Sequence, residues 1–259
     1  MATIKKPEEI KIIRAGGRIL AAVLRELVAA AKPGVKTIEL DELAERLILD
    51  RGGVPAFKNY CGGDDEPPFP TTICSSVNEQ LVHTPAGDYV LKNGDILSID
   101  IGMKYPAQGR GYFTDMATTI PIGEVSAVAK KVMKVTRQAL ALGLAQVKAG
   151  NYISDIGKAI QPYVEAQGFS VVRQLVGHGV GYAVHEEPRI PNYFDPKMKA
   201  VKMEAGMVLA VEPMVNVGHH AIKTGADGWT VTTADEKLCA HYEHTVTVTK
   251  DGCEILTLP

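Results

Sequence analysis

The sequence predicts an α+β protein in a single domain, residues 1–259, built from two related halves, about 1–125 and about 126–259. Three observations lead there. Apolar residues at helical spacing open each half. Gly34 and Gly52, which close helical runs, return 116 residues later as Gly150 and Gly168. The strand-like run Asn93-Gly94-Asp95-Ile96-Leu97-Ser98-Ile99-Asp100 aligns with Ala205-Gly206-Met207-Val208-Leu209-Ala210-Val211-Glu212 at a constant offset of 112, and an acid ends both.

Taken in order, Ile10, Ile13, Leu20, Leu24, Leu27 and Ala31 mark a long amphipathic helix that Pro33-Gly34 stops. Thr37 then reads as an N-cap, and Leu40, Leu43, Ala44, Leu47 and Ile48 form the stripe of a second helix that Gly52-Gly53 ends. Residues 60–70, rich in Gly and Pro, read as a loop that Asp64, Asp65 and Glu66 make acidic. Ser98 to Gly102 alternates polar and apolar residues as a strand does. Val128, Val132, Val135, Ala139 and Val147 put a further helix at 126–148. Val82-His83 corresponds to Val184-His185, and Asp115-Met116-Ala117-Thr118-Thr119 to Glu243-His244-Thr245-Val246-Thr247. Equivalent strands facing each other across a pseudo-twofold axis would bring their acids to one central site.

Composition narrows the function. The chain has 28 Lys+Arg against 30 Asp+Glu, a net charge of −2 and 46% hydrophobic residues, which suits a globular core and gives no general attraction to nucleic acid or anionic lipid. A substrate is therefore the expected partner, with no specific nucleic acid and no membrane. The four cysteines, Cys61, Cys74, Cys239 and Cys253, show no CxxC spacing, and the start lacks an apolar export region, so a reducing cytoplasmic setting is expected. Arg25 and Glu26 interrupt the most apolar helix, which argues against membrane spanning.

Asp100, Asp115, Glu212 and Glu243 sit among residues that favour buried strand. Each alone would read as a solvated surface acid. Four that converge need a counter-charge, and two divalent cations would supply it. His178, in Gly177-His178-Gly179-Val180-Gly181, adds a nitrogen ligand in a segment whose glycines would let backbone pass close to an ion or substrate. Such a hard donor set favours Mn(II), Fe(II), Co(II) or Zn(II) over Cu(I).

These residues, with His185-Glu186-Glu187-Pro188, Val211-Glu212-Pro213-Met214, Asp227-Gly228-Trp229-Thr230 and Tyr242-Glu243-His244-Thr245, resemble the type I methionine aminopeptidases of the pita-bread metallopeptidase family over nearly the whole chain. The resemblance implies a pita-bread fold, with a central curved antiparallel sheet covered by helices. It implies that Asp100, Asp115, His178, Glu212 and Glu243 bind two divalent metal ions, Co, Mn, Fe or Zn, with Asp115 and Glu243 bridging both. It makes His83 and His185 catalytic groups on the substrate side, Glu212 the proton shuttle, and Tyr60, Phe69, Cys74 and Trp229 the walls of a methionine pocket. The implied reaction is removal of the initiator methionine from nascent polypeptides whose second residue is small, by attack of a metal-bridging water or hydroxide. A free N-terminal amine is required, the enzyme acts in the cytoplasm, and a monomer is the family expectation.

Some features depart from that pattern. Asp100 and Asp115 stand farther apart than is usual in type I chains, so the hairpin 105–111 is extended, and the 60–70 loop is longer and more acidic. His83 is followed by Thr84-Pro85 where a Gly is common. Cys239 stands near a place where relatives often carry Ser beside a monovalent cation, so that cation is not carried over to this chain. His219-His220 reads as a solvated turn. Lys5, Lys6, Lys11 and Arg14 would offer a transient ribosome contact, but the same charges are read first as the wet face of a helix. Two alternatives stay open: an aminopeptidase of this fold with another first-residue preference, and a non-catalytic pita-bread binding protein.

Overall fold

In the computed structural model, which describes residues 3–63 and 67–258, the first half runs α1 (Pro7–Ala30), α2 (Thr37–Asp50), β1 (Val54–Pro55), β2 (Ile73–Val77), β3 (Gln80–Val82), β4 (Ile96–Tyr105) and β5 (Tyr112–Pro121). The second runs α3 (Ala127–Leu144), α4 (Ile153–Ala166), β6 (Ser170–Val171), β7 (Gly177–Gly179), β8 (Glu186–Ile190), β9 (Val208–Val211), β10 (Met214–Asn216), β11 (Ile222–Thr224), β12 (Val231–Thr233), β13 (Cys239–His241), β14 (His244–Val248) and β15 (Cys253–Ile255). Asp64, Asp65 and Glu66, which made the 60–70 loop read as acidic, lie outside the described residues.

Local chemistry explains the helix ends. Pro7 and the acids Glu8 and Glu9 occupy the first turn of α1, and Glu9 accepts the Lys6 N–H at 2.8 Å. The Ser126 hydroxyl accepts the Ala129 N–H at 3.2 Å and caps α3. Thr37 departs from its expected role. It is the first helical residue of α2, and its hydroxyl donates to Gly87 O at 3.0 Å and accepts the Gly87 N–H at 2.9 Å, so it pins the helix to a distant loop rather than capping it. The repeated glycines share a left-handed backbone: Gly34 and Gly150 have φ of 95° and 98°, Gly52 and Gly168 have 75° and 82°. A β-carbon is disfavoured at such angles, so each half ends its helices with the same residue in the same conformation.

All strand pairs between described residues are antiparallel. One sheet joins β1, β4 and β2, with β5 on β4; another runs β15-β14-β9-β7-β8. The equivalent strands β4 and β9 each pair with the strand that carries the second acid or follows it, β5 and β14. β9 is the shorter because Glu212-Pro213 follows it, and proline has no N–H to continue the ladder. The two halves meet where threonine hydroxyls complete the backbone bonding: Thr245 Oγ1 accepts the Asp115 N–H at 3.0 Å and donates to Asp115 O at 2.7 Å, and the Glu243 N–H reaches Ala117 O at 3.0 Å. One apolar core lies between α1, α2 and the first half-sheet, through Leu20, Leu24, Leu40, Ile99 and Ile101. A second lies between α3, α4 and the other, through Val132, Ile156, Leu209 and Val246. Among the described residues no helix is long and apolar enough to cross a membrane.

Candidate active site

Strand alternation aims the acids. Asp100 stands opposite Ala117 in the β4–β5 ladder, and Asp115 opposite Gly102, so the two carboxyls are diagonal neighbours on one face. Glu212 and Glu243 approach from the other half, at the end of β9 and the start of β14. His178 lies at the centre of β7. Its Nδ1–H donates to Gly179 O at 2.9 Å, which turns Nε2 toward Glu212 Oε1 at 3.4 Å and Asp115 Oδ2 at 3.9 Å. Asp115, His178 and Glu243 offer ligand atoms that all lie within 4.8 Å of one another.

The glycines around His178 serve a different purpose from the expected one. A β-carbon on Gly177 would come within 2.4 Å of Ala210 O, and one on Gly179 within 2.4 Å of Glu187 O. The glycines thus allow β9 and β8 to close on β7, and this close packing fixes His178 in place.

The electrostatics fit a divalent metal. Burial raises Asp100 to about 6 against the pull of His241. Burial, then the neighbouring acids, hold Asp115 and Glu243 well above the usual carboxylate range, and burial does the same for Glu212. Asp100 Oδ1, Asp115 Oδ1 and Glu243 Oε1 are buried with no hydrogen-bond partner. Orphaned oxygens on crowded acids, joined by one imidazole nitrogen, are what a hard divalent cation would satisfy.

Beside the acids is an apolar cavity whose lining includes every residue singled out from the sequence: Tyr60, Phe69, Cys74, His83, Asp100, Asp115, His178, His185, Glu212, Trp229 and Glu243. Phe69 and Trp229 meet edge to face at 5.2 Å, and Asp227 holds the Trp229 turn by accepting the N–H groups of Trp229 and Thr230 at 3.0 and 2.9 Å. Cys74 faces Asp100 across the β2–β4 ladder, and burial pushes its thiol well up. His83 adopts a left-handed φ of 58°, so the unusual conformation falls on the histidine itself rather than on a neighbouring glycine. Ser75 N–H to Thr84 O at 2.8 Å fixes the following backbone against β2. Burial, then His185 and His241, push the His83 imidazole down to about 4. The Tyr60 hydroxyl lies 2.7 Å from His185 Nδ1, which gives Tyr60 a polar contact beyond its place in the wall.

Three residues escaped the sequence reading as members of the site. Phe57 joins the wall because Gly102 leaves room for its ring; a β-carbon there would lie 2.6 Å from Phe57 Cε1. Val184 packs with Phe57, Phe69 and Cys74. His241 is 1% exposed, and its Nε2 lies 3.5 Å from Glu212 Oε2 and 3.9 Å from Glu243 Oε2. The signal for His241 was its place two residues before Glu243, on the same face of an extended chain. One basic residue of the N-terminal stretch also departs from the wet-face reading. Lys5 is buried and paired with Glu186, because residues 4 and 5 precede α1 and lie beside Gly206 and Met207, just before β9; Arg14 keeps to the wet face, half-exposed and paired with Glu254 at 2.5 Å. Of the His219-His220 pair read as a solvated turn, His219 is exposed, whereas His220 is half-buried with its Nδ1 out of reach of solvent.

Residues 11–250 match the model of metallopeptidase family M24, and the chain belongs to that family. It is a hydrolase with the antiparallel pita-bread architecture. It is 50% identical over 257 residues to methionine aminopeptidase 1 of Bacillus subtilis, with 99% of each chain covered. The solved methionine aminopeptidase of Rickettsia prowazekii superposes with a TM-score of 0.92 at 37% identity, and that of Thermotoga maritima with 0.92 at 39%, each with 100% of both chains covered. The resemblance drawn from the His178, Glu212 and Glu243 segments is borne out.

Proposed function

We propose that the chain removes the N-terminal methionine from nascent polypeptides whose second residue is small. The observation that carries this reading is the meeting of five ligand-type side chains, three with orphaned buried oxygens, at one end of an apolar, aromatic-lined cavity. Asp100, Asp115, His178, Glu212 and Glu243 would hold two divalent ions, Mn(II), Fe(II), Co(II) or Zn(II). Bound there, the ions supply charge neutralisation, activation of water and polarisation of the scissile carbonyl.

The residues divide the remaining work. Tyr60, Phe69, Cys74 and Trp229, with Phe57 and Val184, surround the methionine side chain with soft apolar surface. At the metal end of the cavity a free α-amino group would offer a nitrogen donor, and a formyl group removes that donor. His83 and His185 hydrogen-bond the scissile peptide from the substrate side, and both are held neutral, their imidazoles lowered by burial. Glu212, at the end of β9 beside the other acids, would take and return a proton during hydrolysis. A groove of about 460 Å³, bordered by Val82, Leu175, Val176 and Met214, shares His83, His178, His185 and Glu212 with the cavity and receives the rest of the peptide.

The chain works in the cytoplasm as one monomeric domain of two pseudo-symmetric halves, with Lys6 and Lys11 free to make a transient ribosome contact. Release of methionine from Met-Ala-Ser by metal-stripped protein resupplied with Mn(II) or Co(II) tests the reading, with formyl-Met-Ala-Ser and Leu-Ala-Ser as controls. Metal-dependent release from the first peptide alone supports it. Silence on all three with metal bound would sink it.

A further inference from the structure

We propose that the N-terminal segment belongs to the active-site apparatus: Lys5, through Glu186, holds the turn that presents His185 to the substrate. The proposal rests on His185 being a substrate-side group, as read above. Lys5 Nζ lies 2.6 Å from Glu186 Oε2, and the two side chains are 1% and 10% exposed. Glu186 follows His185 directly, and its other oxygen accepts the N–H groups of Tyr182 at 2.5 Å and Ala183 at 3.1 Å. One carboxylate therefore closes the 182–186 turn and ties it to the first residues of the chain. The Thr3 hydroxyl donates to the same Glu186 oxygen as Lys5.

The far end of this tie is fixed too. The Lys5 N–H donates to Gly206 O at 2.9 Å, and Ile4 bridges Met207, just before β9 leads to Glu212. Room for the lysine stem is built into the turn: a β-carbon on Gly181, where φ is 132°, would lie 2.8 Å from Lys5 Cε. The Tyr182 hydroxyl donates to Glu9 at 2.6 Å, and Arg110, from the extended hairpin, lies over the Tyr182 ring at 5.1 Å. The hairpin extension noted in the sequence thus packs onto the same turn. On the cavity side, Tyr60 holds His185 Nδ1. A buried lysine is costly unless paired, and its removal would leave the Glu186 carboxylate with its hydrogen bonds but without its counter-charge. Glu186 would then turn toward water and release the Tyr182 and Ala183 N–H groups, and the His185 ring would lose its fixed position.

Lys5 and Glu186 are positioning residues, so the test is a double-mutant cycle with His185 on Met-Ala-Ser. Lys5→Met should lower kcat on the order of 10–100-fold with Mn(II) affinity by calorimetry unchanged, and Lys5→Arg should restore most of it. In the His185→Ala background Lys5→Met should cost no further activity. Equal losses in both backgrounds, or no loss in either, would overturn the proposal and leave the pair a plain anchor of the terminus. Should Lys5→Met fail to fold, Glu186→Gln, which keeps an oxygen for the turn but removes the ion pair, is put through the same cycle: a loss confined to the His185 background supports the clamp, and equal losses or none overturn it. Full activity of His185→Ala itself would overturn both the role of His185 and the clamp, whereas an active wild type with additive variants removes only the clamp.

Discussion

His241 Nε2 lies 3.5 Å from Glu212 Oε2, and neither nitrogen of this buried ring has a hydrogen-bond partner. The ring sits beside the two acids from the second half and outside the five expected ligands. A small closure of this 3.5 Å gap would make the hydrogen bond that outer partners give to metal ligands, so His241 is expected to orient the Glu212 carboxylate when metal is bound. His241→Leu should weaken Mn(II) binding about 10–100-fold while the fold persists, and His241→Gln, which restores a side-chain donor, should recover most of the loss. Calorimetric titration of the metal-free variants checks this, and unchanged affinity in His241→Leu would remove His241 from the site.

The crowding of acids makes a second prediction, with opposite signs for stability and function. Asp115 is held well above its ordinary range by burial, then by Asp100 and Glu212, so placing this acid there costs the metal-free protein stability at neutral pH. Asp115→Asn should raise the Tm of the metal-free protein, by about 2–4 °C for each kcal/mol of relieved repulsion. The same change should abolish Met release and cancel the Tm gain that Mn(II) gives the wild type. A variant that still gains Tm with Mn(II) and still cleaves Met-Ala-Ser would refute the shared-ligand role.

The acids were legible in the sequence because each half carries its own copy of the pattern. Asp100 matches Glu212, Asp115 matches Glu243, and the glycines that place these segments match as well, down to φ of 103° at Gly94 and 93° at Gly206. Period and repeat are local properties of the chain. Contacts between segments are not, and the misreadings fall there. Lys5 read as a wet helical residue because its partner, Glu186, is far along the chain. Thr37 read as a cap because Gly87 gave no sign that it would engage the hydroxyl. Phe57 and Val184 looked like any apolar residues until the fold brought them beside Cys74.

His83 gives a pH prediction for the metal-free protein. Its imidazole falls from an ordinary 6.5 to about 4 in the fold, chiefly through burial, then through His185 and His241. The unfolded chain therefore takes up a proton first as pH falls. The stability linked to His83 is fully present above about 6.5 and is lost as pH drops toward 4, by up to about 3 kcal/mol. Asparagine tolerates the left-handed φ of this position, so His83→Asn should keep the fold and lose less stability between pH 7.5 and 4.5 than the wild type. Urea unfolding at the two pH values measures it, and parallel losses in both proteins would mean that His83 does not titrate in this window.

Tyr60 separates two roles that the sequence could not. As a pocket wall it contributes only its ring, which lies at 5.1 Å from the His185 ring in an edge contact. As a partner of His185 it contributes the hydroxyl at 2.7 Å from Nδ1, which selects the ring orientation and, on the proposed function, would leave Nε2 for the substrate. Tyr60→Phe keeps the first and deletes the second. A hydrogen bond that orients an uncharged group is worth about 0.5–1.5 kcal/mol, so kcat on Met-Ala-Ser should fall roughly 2–12-fold while KM stays within about twofold. If KM rises and kcat holds, Tyr60 acts through the methionine side chain alone, and the orientation of His185 has to come from Glu186 and the turn behind it.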